Sequence, residues 1–178
     1  MGRMIALLRA VNVGGRKLPM AELRTLCGEL GWTDVATYIQ SGNIVFTSDD
    51  TPQAAEAALE ALIEKNYGYK APAMVRTLDQ WTHYPAANPF PIAASDEPNR
   101  LMMLLSKEPP ADTAEATIQA RAMHGERVKR AGDAIWIHYP EGQADTKLSP
   151  NVIDRAMGSP ATGRNYRTVA TLLDMLKA

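Results

Sequence analysis

The chain has one cysteine and two phenylalanines among its 178 residues, and no excess of charge of either sign. The single Cys27 excludes an intrachain disulfide and any cysteine-rich zinc site. It falls at helical spacing beside Leu23, Leu26 and Leu30, the setting of a small core residue rather than a nucleophile. A formal net charge of −1 removes any bulk attraction to nucleic acid or to an anionic membrane. Long apolar runs are missing too. The one near the start is interrupted at Arg9, so neither a membrane span nor a signal peptide is expected. Met1-Gly2 hints at myristoylation, but Ala6 stands where that motif needs Ser or Thr. His83, His124 and His138 match no metal-ligand spacing, so no metal and no cofactor is expected. A cytoplasmic location with no membrane partner follows as the expectation.

Nearly half the residues are apolar, ample for a packed interior. Ile5 to Asn12 reads as a strand with apolar residues on both faces, hence central in its sheet and covered twice. Pro19 to Leu30 reads as a helix with Met20, Leu23, Leu26 and Leu30 as its stripe and Gly31 as its stop. Two strands follow, Val35 to Gln40 and Asn43 to Thr47, joined at Ser41-Gly42. Thr51-Pro52 caps a helix with Ala55, Leu59, Leu62 and Ile63 inward, and Ala73 to Thr77 closes the series. The order is β-α-β-β-α-β, as in a ferredoxin-like unit. The proline-punctuated segment 79–99 reads as an ordered connector pinned by Trp81, Tyr84 and Phe90.

The second half nearly repeats this order. Arg100 to Leu105 is a strand and Thr113 to Met123 a helix. Arg127 to Arg130 and Ala134 to Tyr139 form a hairpin turning at Gly132-Asp133, and Ser149-Pro150 caps a helix stopping at Gly158. No closing strand is evident, and the chain ends in a helix from Asn165 to Leu176. The expected fold class is therefore α+β. It is a duplication of two ferredoxin-like subdomains, 1–78 and 100–178, with an extra C-terminal helix. The open sheet face of the first is expected to be covered by the second.

Three polar clusters carry whatever chemistry the chain has. Arg9 shares a strand face with Ile5, Leu7 and Val11, and a buried arginine there costs several kcal/mol unless neutralised. Its partner is a protein carboxylate on one reading and a ligand anion on the other. Gly14-Gly15-Arg16-Lys17 next to a helix start suits an anion, although it lacks the spacing of a P-loop and the third glycine of a dinucleotide fingerprint. Asn12 suits the satisfaction of turn backbone. Gln40-Ser41-Gly42-Asn43 is sufficient hairpin chemistry, and Ser41 has no nucleophile elbow. In Thr162-Gly163-Arg164-Asn165, either Thr162 or Asn165 caps the last helix. Arg164 would then sit near its positive end, where an anion is wanted. The basic stretch Arg121, Arg127, Lys129 and Arg130 lacks interleaved aromatics and reads as a solvated hairpin face.

The segments Leu7-Leu8-Arg9-x-Val11-Asn12-Val13-Gly14-Gly15, Pro19-Met20-x-x-Leu23-Arg24 and Tyr38-Ile39-Gln40-Ser41-Gly42-Asn43-Ile44-Val45-Phe46 resemble the domain-of-unknown-function 1697 family of bacterial proteins. The tail Thr162-Gly163-Arg164-Asn165-Tyr166-x-Thr168 is similar as well, with glycine and tyrosine where that family usually has threonine and tryptophan. The resemblance implies the duplicated fold and no activity.

The expected function is the binding of an anionic small molecule, a nucleotide or phosphorylated metabolite, at the subdomain junction. Arg9, Asn12, Gly14, Gly15 and Lys17 would give one wall, Ser41 and Asn43 a second, and Arg164 and Asn165 a third. A structural or protein-interaction module is the competing reading. Nucleic-acid binding is a distant third, and no catalytic residue is assigned.

Overall fold

The computed structural model describes residues 1–178. The chain divides into two compact units, Met1–Trp81 with Leu172–Ala178, and Thr82–Thr171.

The first unit is built on β1 (Gly2–Leu8), α1 (Met20–Glu29), β2 (Thr33–Tyr38), β3 (Asn43–Ser48), α2 (Pro52–Tyr67) and β4 (Ala73–Thr77). Its sheet runs β2-β3-β1-β4, antiparallel throughout. A strand apolar on both faces belongs at the centre, and Met4 to Leu8 are all buried. On one face Met4, Ala6, Leu8, Ile44, Phe46 and Val75 pack with Leu23, Cys27, Leu59 and Ile63 from the two helices. Trp32 stacks on Phe46 at 3.7 Å between ring centroids. Burial pushes the Cys27 thiol up to about 12, which leaves it inert as a nucleophile at neutral pH.

The second unit repeats the order with β5 (Leu101–Ser106), α5 (Ala114–Gln119), β6 (Arg127–Ala131), β7 (Ala134–His138), α6 (Pro150–Met157) and β8 (Ala161–Asn165). Its sheet runs β6-β7-β5-β8, again antiparallel, with β5 in the position of β1. Leu104, Ile135, Ile137 and Val128 face Ile118, Ile153 and Met157. Prolines open α2 and α6, where a missing N–H costs nothing. The Thr51 and Ser149 side chains accept from the amides of Ala54 and Val152, three residues on, as N-caps do.

Edge strands leave backbone donors unpaired, and here helix side chains cover them. The Val75 and Ala73 amides of edge strand β4 donate to Glu56 and Glu60 of α2, each at 2.9 Å. The Val128 and Arg130 amides of edge strand β6 donate to Gln119 and Glu115 of α5, and the Ala161 amide of β8 to Asp154 of α6. The same device thus guards both sheets, and it explains why acidic residues recur on the inward shoulder of these helices.

Four expectations need correction. β1 ends at Leu8 rather than Asn12, because Ala10 and Asn12 take left-handed backbone, with φ of 56° and 55°. The β2–β3 loop is Ile39–Gly42, twice the length read from the sequence. The connector is helical: α3 (Leu78–Ala86) and α4 (Pro91–Asp96) precede a 3₁₀ turn over Pro98–Arg100. Pro91 and Pro98 each open their helix, where proline is tolerated; Trp81, Tyr84 and Phe90 are buried. The second unit also closes on β8, a strand the sequence hides. The final helix α7 then runs over Tyr166–Lys177.

The end of α7 belongs to the first unit. Helix C-termini leave carbonyls without partners, and Arg3 supplies them: its guanidinium donates to Met175 O at 2.9 Å and to Leu176 O at 3.4 Å. It also donates to Asp34 O at 3.2 Å.

Glu126 plays the corresponding tying role in the second unit. Its buried carboxylate accepts from the His124 amide at 2.7 Å and from the Thr146 hydroxyl at 2.8 Å. Burial raises its pKa, but hydrogen bonds from the His124 amide, its own amide and Thr146, with the charge of His124, hold it below the usual carboxylate range. A lowered carboxylate pKa stabilises the fold above the unfolded value, and that contribution is lost as pH falls through the folded value. Glu126→Gln is therefore expected to cost about 2 kcal/mol at pH 7, the worth of two charge-assisted bonds, and less at an acid pH below the folded value. Urea unfolding of both proteins at the two pH values checks this. An equal deficit at both would remove the ionised carboxylate from the account.

Candidate functional site

Arg9 is the first residue beyond β1. It is half-buried, and its amide donates to Pro72 O at 3.0 Å. Beyond it the chain turns out of the sheet at Ala10, where φ is 56°. Next comes a tight reversal. The Arg16 amide donates to Val13 O at 3.0 Å and the Asn12 amide to Arg16 O at 2.7 Å. Between them Gly14 and Gly15 have φ of 56° and 80°, the signature of a type I′ turn. Two consecutive positive φ values are what the Gly-Gly pair is for. The amides of Gly14 and Gly15 make no hydrogen bond within the protein, nor does the Lys17 ammonium, and all three residues are exposed.

Asn12 stitches this loop to its surroundings. Its side-chain amide donates to Gln40 O at 2.7 Å and to Leu18 O at 3.2 Å, while its oxygen accepts from the Leu18 amide at 2.8 Å. The bond to Gln40 places the Gly14-Gly15 loop beside the β2–β3 loop. There Asn43, fully buried, donates to Tyr38 O at 2.9 Å and to Ser41 Oγ at 3.0 Å. Ile39 holds φ of 52° while half exposed, an expensive conformation for a β-branched residue. On the other side Tyr69 donates to Lys17 O at 3.3 Å, and the Arg16 guanidinium lies 5.6 Å from the Tyr69 ring centroid. No local motif marks Tyr69, which becomes a neighbour only through folding. The first unit thus gathers Arg9, Asn12, Gly14, Gly15, Lys17, Ser41 and Asn43 around two adjoining loops.

Arg164 and Asn165 lie in the second unit. Arg164 is a residue of β8 opposite Met103, one position before the residue that caps α7. It is buried and donates to Thr162 Oγ1 at 2.7 Å and Gly163 O at 2.9 Å. Burial brings its pKa down to about 10, so it stays charged at neutral pH. Asn165 caps α7, its oxygen accepting from the Thr168 amide at 2.9 Å. On the same sheet face Trp136, opposite Met103 from the other side, is fully buried, and its indole N–H has no partner.

A second polar group in this unit escaped the sequence reading. His138 Nε2 lies 2.9 Å from Glu97 Oε2, and Nδ1 lies 3.4 Å from the Arg127 guanidinium. With arginine always a donor, the geometry fits the tautomer with Nε2 protonated and donating to Glu97. Arg127 in turn stands 5.2 Å from the Phe90 ring centroid. This cluster ties the 3₁₀ turn to the hairpin. No group of three or more His, Cys, Asp and Glu residues is arranged to hold a metal ion, and no helix is long and apolar enough to cross a membrane.

Fold and loops together define a two-unit α+β protein. Residues 1–136 match the family described as "Protein of unknown function (DUF1697)", and the chain belongs to that family. It is similar to the solved structure of the conserved bacterial protein SP0830 from Streptococcus pneumoniae, with 27% identity, a TM-score of 0.76 and 98% of each chain covered. No curated protein matches the chain.

Proposed function

We propose that the protein binds a small molecule bearing a phosphate or comparable anion on the Arg9–Leu18 loop of the first unit. The observation that carries this reading is the pair of adjacent left-handed glycines. Their amides and the neighbouring Lys17 ammonium are uncommitted, on a loop already fixed in place by Asn12. A fixed loop with free donors binds an anion without first paying to order itself. Asn12, Ser41 and Asn43 position the loops in this reading, Gly14, Gly15 and Lys17 meet the ligand, and Arg9 adds local positive charge. Arg164 and Asn165 serve the second unit, one bonded to its own strand and the other to α7. We also read each unit as a ferredoxin-like repeat and the pair as a duplication, which the shared element order and sheet order support.

Thermal unfolding with inorganic phosphate, AMP and glucose 6-phosphate tests the binding, with sodium chloride as the ionic-strength control. A ligand present at a hundredfold over its Kd is expected to stabilise the protein by about 2.7 kcal/mol, and Lys17→Ala is expected to abolish most of that shift. No shift with any of the three, or an equal shift in Lys17→Ala, overturns the proposal.

A further inference from the structure

A shallow hollow of about 130 Å³ lies between α5 and α6 on the second unit, lined by Thr117, Arg121, Val152, Arg155 and Ala156. Its floor is apolar. Val152 and Ala156 stand four residues apart on one face of α6 and present aliphatic surface. Its rim is basic. Arg121 and Arg155 are exposed, and neither guanidinium has a hydrogen-bond or ion-pair partner within the protein. No carboxylate stands three or four residues from either arginine, on either side. The nearest acidic residues on these helices are otherwise engaged, Glu115 with the Arg130 amide and Asp154 with the Ala161 amide. An apolar floor between two unneutralised arginines is therefore a surface whose complement lies outside the chain.

We propose that this hollow docks an acidic peptide segment of a partner protein, which inserts one aliphatic side chain between two carboxylates. Size argues for a side chain rather than a whole metabolite. Small-molecule sites run to about 300–1,000 Å³, whereas this hollow holds one leucine-sized group and stays open to solvent. Charge argues for acidic flanks, since the hollow is lined by two arginines, one just past α5 and one on α6, each able to meet a carboxylate beside the inserted group. The absence of an aromatic residue from the lining argues against a stacked nucleic-acid base. The arrangement is that of a small hot spot, an apolar anchor ringed by charge.

The test uses the full chain and a fluorescein-labelled heptapeptide with a central leucine between two pairs of acidic residues. Fluorescence polarisation is expected to give saturable binding that weakens with salt. Binding should fall about tenfold or more when the leucine is replaced by serine, and by a similar factor in Arg121→Ser/Arg155→Ser. The charge-reversed Arg121→Glu/Arg155→Glu protein is expected to prefer the same peptide carrying lysines in place of its acidic residues. Both arginines are exposed and unpaired, so these variants keep their fold, and circular dichroism checks that they do. Three results overturn the proposal: no binding up to about 1 mM peptide, equal binding of the serine peptide, or equal binding by the double serine variant.

Discussion

Replacing Gly42 by alanine is expected to destabilise the first unit by about 3 kcal/mol, with two separable causes. Gly42 has φ of 85°, where an L side chain costs about 1 kcal/mol or more. A Cβ there would also stand 2.8 Å from Leu8 Cβ and 2.8 Å from Val11 Cγ2. Leu8 Cβ is fixed to a central strand and cannot swing away, so backbone has to move, at about 1–3 kcal/mol more. Gly31 isolates the first cause, since its φ is 80° but nothing lies within 4 Å of the position a Cβ would take. Gly31→Ala should cost about 1 kcal/mol. Urea unfolding followed by tryptophan fluorescence measures both. Equal deficits for the two variants would refute the steric half of the account.

Asn12→Ala is expected to cost about 2–3 kcal/mol. The substitution removes the three hydrogen bonds to Leu18 and Gln40 and orphans the amide of a fully buried residue, Leu18. It also places alanine at φ of 55°, a conformation asparagine tolerates better. Asn12→Gly should therefore recover about 1 kcal/mol of the loss while leaving the hydrogen bonds broken. Chemical denaturation of the two variants resolves the difference. A stability unchanged in Asn12→Ala would mean that the loop is not held by this side chain and that its preorganisation comes from elsewhere.

Local chemistry carried the sequence reading wherever one segment decides its own conformation. Thr51 and Ser149 cap their helices, Gly158 ends α6 in the left-handed region, and Gly132-Asp133 turns the β6–β7 hairpin, all as their residue types dictate. The failures share another cause. Ala-Thr-Gly-Arg-Asn has little intrinsic preference for extension, and β8 exists because Met102 to Ser106 of β5 offer it a ladder. Leu8 to Val11 looks like uninterrupted strand, yet the partners of β1 end there, with Gly42 and Pro72 taking the last amides. The prolines of 79–99 read as breakers, although two of them stand at helix starts. As for the candidate site, the residue types around the Gly14-Gly15 turn were legible. Asn12's bond to Gln40 and the stacking of Arg16 on Tyr69 were not, because both join segments far apart in sequence.

Arg3 meets its acceptors on Met175 and Leu176 more than 170 residues downstream. The second unit, by contrast, is one uninterrupted stretch. On a ribosome this reverses the usual order in which domains mature from the N-terminus. Residues 1–81 can complete the Arg3 contacts only after 172–178 have been made, while the stretch between them has every residue of its own unit.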